Sequence, residues 1–166
     1  THNHPEGIKG AQATALAIWY GLEDYLQSEL RHSKLMNFYP DFQDVFFINI
    51  DNSFPRDTSC QRTVPFALLA FLDSDDFEGA IRNAISLGGD TDTLAAITGS
   101  IAEAYFPVPP EFILSAYKYL DQTLIDIITK WHDFLKSFPK KANLDYSWIP
   151  AHIMSPMQAH NLQHFH

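Results

Sequence analysis

Only one cysteine, Cys60, stands in 166 residues, so no internal disulfide can form and packing alone must hold the fold. Together with the lack of a secretory leader pattern, that economy makes a reducing cytoplasm the expected location. Long apolar runs are missing too. The longest, Val64–Leu72, is interrupted by Pro65 and falls well short of the ~18 residues that a bilayer crossing requires. Basic residues are scarce: eleven Lys and Arg against twenty Asp and Glu give a net charge of −9, and such a surface repels a phosphate backbone. Neither nucleic acid nor a membrane is therefore an expected partner. Seven glycines and ten prolines are too few for a fibrous or low-complexity chain.

What remains is the composition of a folded domain, 46% apolar and 19% charged, and the length suits one core better than two. From Ile8 to Leu30 the residues Ile8, Ala11, Ala15, Ile18, Trp19, Leu22, Leu26 and Leu30 recur at spacings of three and four. This predicts a long amphipathic helix buried along that stripe, with Pro5 and Glu6 in its first turn. The next stretch, to residue 60, is broken by Pro40, Asn49, Asp51, Asn52 and Pro55, and Val45–Ile50 has strand-like length. Pro65 is expected to open a short apolar helix ending near Leu72. Ser74 or Asp75 would cap the following one, whose buried face would carry Phe77, Ile81, Ala84 and Ile85. Gly88 and Gly89 should end it with positive φ. A helix after Thr91 would bury Leu94, Ile97, Ile101 and Ala104 until Pro107, Pro109 and Pro110 stop it. A last helical pattern runs from Glu111 to about Phe138, broken near Asp121, before an irregular tail at 139–166. With so little strand signal, the fold class is all-α.

The chemistry concentrates in Gly88-Gly89-Asp90-Thr91-Asp92-Thr93. One acidic or hydroxyl side chain there is accounted for as a helix cap. Asp90, Asp92 and Thr93 together also put three oxygen ligands within one turn, as a hard cation such as Mg²⁺ prefers, and spacing alone does not choose between the two. An Asp-x-Asp nucleophile loop of the haloacid-dehalogenase type is disfavoured, because that pair follows a buried strand whereas this one follows a helix ending in glycines. The opening Thr1-His2-Asn3-His4-Pro5-Glu6-Gly7 sets two imidazoles ahead of a helix, where capping or solvation is the simpler role. Zinc is weaker still, since neither Cys60 nor the other histidines show zinc-ligand spacing.

Taken together, these segments resemble the ADP-ribosylglycohydrolase family, that of the dinitrogenase-reductase-activating glycohydrolase. The resemblance rests on Thr1–Gly7 heading Gly10-Ala11-Gln12-Ala13-Thr14-Ala15, on Ser59-Cys60-Gln61 before Thr63-Val64-Pro65, and on Asp76-Phe77-Glu78 with Ala80–Ala84. Gly88–Thr93 followed by Ala95-Ala96-Ile97-Thr98-Gly99 completes it. It implies a multi-helix orthogonal bundle that hydrolyses the glycosidic bond of ADP-ribosylated side chains or small ADP-ribosyl conjugates with two Mg²⁺ or Mn²⁺ ions. By the same resemblance Asp90, Asp92 and Thr93 would be metal ligands and His2 would line the ADP-ribose pocket. Phe66 and Pro107 depart from the usual glutamate and glycine of the pattern, which affects local shape.

Members of the family resembled carry an upstream Thr-Asp-Asp cluster and an acidic residue acting on water. Neither is found here, and Asp73, Asp75 and Asp76 read as a helix start. The expectation is therefore that residues 1–138 are the C-terminal part of such a domain, catalytic when a separate N-terminal half is supplied, with the water-activating residue unassigned. A non-catalytic ADP-ribose-binding or interaction module, or a remnant without ligand, is the alternative. Helices left without their partners would expose apolar faces, so the chain is expected to be marginally stable or to self-associate.

Overall fold

The computed structural model describes residues 3–22, 33–42 and 58–137. Helices follow one another as α1 (Pro5–Leu22), a helical turn at 33–36, a 3₁₀ turn (Pro40–Phe42), α2 (Cys60–Leu72), α3 (Phe77–Ser86), α4 (Thr91–Tyr105), α5 (Pro110–Tyr117) and α6 (Gln122–Ser137). No strand occurs among the described residues, and the class is all-α. His2, the run Val45–Ile50, the end of the helix expected to reach Leu30 and the tail at 139–166 lie outside the described residues. The chain divides into two compact units, Thr1–Ala116 and Tyr117–His166.

In the first unit α2 is the hub. Every residue from Thr63 to Phe71 is buried, as befits a helix that is apolar on all sides. It packs against α1, α3 and α4, and α4 in turn packs against α1 and α3. Pro65 does not open this helix as its sequence suggests. Ser59 is the N-cap residue, and the Arg62 and Thr63 amides close on its carbonyl at 3.1 and 2.9 Å, so the helix begins at Cys60. One turn in, Pro65 costs a single ladder bond, that to the Gln61 carbonyl, while the ring itself is buried. At the other end Asn83 of α3 donates to the Ala70 and Asp73 carbonyls at 3.2 and 3.1 Å, satisfying acceptors that the helix terminus would otherwise leave open.

α1 has the expected period but a different phase. Its buried residues are Gly10, Ala13, Leu16, Ala17 and Tyr20, whereas Ile8 and Leu22 are 44% and 70% exposed. The reason is close approach: a Cβ on Gly21 would lie 2.7 Å from the Tyr105 ring and 2.8 Å from the Ala104 Cβ, and the Tyr105 hydroxyl donates to the Ala17 carbonyl at 3.0 Å. Ala17 and Gly21, not the stripe through Ile8 and Leu22, meet α4. Gly21→Ala should therefore overpack this crossing and lower stability by about 1–3 kcal/mol, readable as a fall in the urea midpoint.

α3 is capped by Asp76, not Ser74 or Asp75. Its carboxylate accepts the Gly79 amide at 2.6 Å from an extended backbone. The buried face is carried by Ala80 and Ala84, and Ile85 is 53% exposed, because the small residues let α3 sit close to its neighbours. In α4 the buried residues are Leu94, Thr98, Ile101 and Ala102. Thr98 and Ala102 thus take places the sequence assigns to Ile97 and Ala104. The predicted break near Asp121 falls between α5 and α6. Within the second unit, Leu124, Ile127, Trp131 and Phe134 of α6 form an exposed apolar stripe, and the Trp131 and Phe134 rings stack at 5.5 Å. No helix among the described residues is long and apolar enough to cross a membrane.

Tyr39 is buried at the start of α1, with Lys9 Nζ 4.9 Å over its ring centroid. Its hydroxyl has no hydrogen-bond partner among the described residues. Burial, with the Glu6 carboxylate and Cys60 adding to it, pushes the phenol well above its ordinary value. A raised folded value leaves stability intact below the unfolded phenol pKa of about 10 and removes it as pH rises beyond that. Tyr39→Phe should flatten this alkaline loss and be close to neutral at pH 7, as thermal melts between pH 7 and 11 would reveal.

Candidate functional site

The Gly88–Thr93 segment joins α3 to α4 at the edge of the first unit. Gly88 and Gly89 have φ of 73° and 69°, a left-handed conformation that side-chain-bearing residues rarely adopt. Two such residues in succession turn the chain out of α3 and deliver Asp90 to the first position before α4. The Leu94 amide then donates to the Asp90 carbonyl at 3.0 Å, so Asp90 is the hydrogen-bonded first step of the helix.

Asp90 occupies the same place before α4 that Asp76 occupies before α3, yet the two behave differently. Asp76 caps with its side chain. Asp90, at φ −84° and ψ 68°, makes no side-chain cap bond. The amide of Thr93 is taken instead by Asp92 Oδ1 at 3.0 Å. Hydrogen-bonding contact with the Asp90 carboxyl, assisted by the backbone amides of Thr93 and Asp92, holds the Asp92 carboxyl below its ordinary range. Like charges side by side favour a partner of opposite sign. Thr93 follows them and is exposed, so Asp90, Asp92 and Thr93 all stand at the start of α4, where the helix dipole adds positive potential.

The donor set is chemically suited to a hard cation: two carboxylates and a hydroxyl, all oxygen, with room for further ligands. It is incomplete for a metal held by protein alone, because no group of three or more His, Cys, Asp or Glu side chains among the described residues could hold one. Mg²⁺ is commonly bound by one or two carboxylates with water and substrate phosphate making up the rest, and these residues fit that pattern.

Each of the other sequence candidates has a local setting of its own. His4 is a capping residue: its Nδ1 accepts the Glu6 amide at 3.2 Å, and its carbonyl accepts the Ile8 amide at 3.0 Å. Asp73 is the C-cap residue of α2 and Asp76 the N-cap of α3, both accounted for without a metal. Cys60 is an exposed free thiol. The sequence did not single out Thr98 or Tyr105, which tie α4 to its neighbours through the Ala67 and Ala17 carbonyls, each at 3.0 Å. A hydroxyl on the otherwise apolar face of α4 was the available signal for Thr98.

Set against known proteins, the chain matches the family model described as ADP-ribosylglycohydrolase over residues 1–133. No curated protein and no solved structure matches it. The family match spans α1 to α5, most of α6 and the whole Gly88–Thr93 segment. The chain belongs to the ADP-ribosylglycohydrolase family, all-α proteins of glycohydrolase type.

Proposed function

We propose that this chain contributes to hydrolysis of the glycosidic bond between ADP-ribose and a protein side chain or small acceptor, with Asp90, Asp92 and Thr93 as ligands of Mg²⁺ or Mn²⁺. The single observation that supports this most is the uncapped Asp90: it stands at an N-cap position and makes no side-chain cap bond, which leaves its carboxylate for a ligand beside that of Asp92. A bound cation would supply charge neutralisation for the diphosphate and polarise oxygens at the reacting centre. The protein's part is to hold the two carboxylates at the start of a helix anchored in the core by one face, with the Thr93 hydroxyl next to them in sequence. Without the cation, the same carboxylates repel an anionic ligand, so substrate binding and metal binding are coupled. A dinuclear centre needs more ligands than these three, supplied by residues beyond those described here; the group that activates water is among them. His2 belongs to the proposal as an ADP-ribose contact.

A second reading is favoured by the short ligand count among the described residues: a module that binds ADP-ribose through one cation without turning it over. Hydrolysis of ADP-ribosylarginine with Mg²⁺ by the product of the whole gene separates the two. Release of ADP-ribose supports the enzyme, and Mg²⁺-dependent binding of ADP-ribose without release supports the module. Activity unchanged when both Asp90 and Asp92 are replaced removes the metal assignment.

A further inference from the structure

Thr98 lies on α4 two turns beyond its first residue, fully buried at 0% exposure, and its Oγ1 donates to the Ala67 carbonyl of α2 at 3.0 Å. Hydroxyls inside helices ordinarily return to the carbonyl one turn back on their own helix. Thr14, Ser100 and Thr129 do so, bonding the Gly10, Ala96 and Ile125 carbonyls at 3.0, 2.7 and 2.8 Å. Thr98 instead crosses to the hub helix.

Leu94, Ile101 and Ala102 also hold this part of α4, as does the Ile81 side chain against Gly99, and apolar contact is non-directional. Such contact opposes separation of two helices more than it fixes their relative height. A hydrogen bond to one particular carbonyl does fix height. The far end of α4 is tied in the same way by the Tyr105 hydroxyl on the Ala17 carbonyl at 3.0 Å. At about 1.5 Å per residue, Asp90 lies about 12 Å from Thr98 along a continuous helix, and ligand groups must be placed to within roughly 0.5 Å.

We propose that Thr98 is a positioning residue: anchored on the Ala67 carbonyl, its hydroxyl sets the height at which α4 presents Asp90, Asp92 and Thr93. Its bearing on the cation rests on the function proposed above, but its bearing on the backbone does not. The test compares Thr98→Val, which keeps the shape and loses the donor, with Thr98→Ser, which restores it. Thr98→Ala serves as a second hydroxyl-free variant should valine not fold. Hydrogen exchange is read in the metal-free chain and Mn²⁺ affinity by calorimetry. The expected result is that the Thr93 and Leu94 amides exchange about fivefold faster in the hydroxyl-free variant, while Ala13 and Leu16 in α1 keep wild-type rates. Mn²⁺ dissociation constants should rise about fivefold as well, and Thr98→Ser should return both to wild type. Exchange that rises equally in α1 and α4, or does not rise at Thr93 and Leu94, overturns the positioning role. Failure of the wild-type chain to bind Mn²⁺ would count against the cation reading, leaving the exchange comparison to decide for or against Thr98 by itself.

Discussion

Phe71→Ala lowers the stability of the first unit by about 3–5 kcal/mol, among the larger losses expected from a single truncation in this core. Phe71 is 1% exposed, and its ring meets those of Tyr105 and Phe106 at 4.7 and 6.2 Å. Removing it opens a cavity beside a residue that ties α4 to α1, since Tyr105 also donates to the Ala17 carbonyl. Against a total of about 5–15 kcal/mol for an ordinary domain, such a loss brings the chain close to unfolding at 37 °C. Truncating Ile85, 53% exposed, should change stability by less than about 0.5 kcal/mol. Urea melts of the two variants side by side would check the contrast, and near-equal midpoints would contradict the placement of Phe71.

Asp90→Asn with Asp92→Asn should reduce Mg²⁺-dependent hydrolysis by more than about 100-fold, because even residues one shell beyond a metal typically cost 10–100-fold. The same change should leave thermal stability equal or slightly higher. It removes a pair of carboxyl groups held in contact, and asparagine is at least as good at an N-cap as aspartate. Asp76→Ala is predicted to do the reverse, costing about 1 kcal/mol through the lost bond to the Gly79 amide while leaving activity unchanged. The opposed outcomes separate a carboxylate used for folding from carboxylates used for chemistry, which sequence spacing does not distinguish. Loss of stability without loss of activity in the Asp90, Asp92 variant would return both residues to the capping role.

Much of this was legible from residue order, and the misread helix faces share a cause. Helix periods, the glycine stop before Asp90 and the proline stop after α4 depend on local backbone preference, and they stand where the sequence puts them. Which face of a helix is buried depends on what meets it. On α1 the large residues Ile8 and Leu22 suggested one face, but Gly10, Ala13, Ala17 and Gly21 allow the backbone to come nearer its neighbours, and closeness decided. The same preference for small residues put Ala80 and Ala84 of α3 inside and left Ile85 out. Pro65 misled for a different reason: proline is favoured at the first turn, yet a well-buried helix tolerates one missing bond. At the site, the place of Asp90, Asp92 and Thr93 at a helix start could be read from their spacing. That Asp90 leaves its cap unmade is a matter of backbone angles and could not.

The most direct test is a titration of the chain with Mn²⁺ followed by amide NMR, in which the paramagnetic ion broadens the signals nearest to it. Gly89 to Leu94 should broaden first, and the effect should vanish in the Asp90→Asn, Asp92→Asn variant. Broadening that begins elsewhere, or that persists at Gly89 to Leu94 in the variant, would contradict the metal assignment.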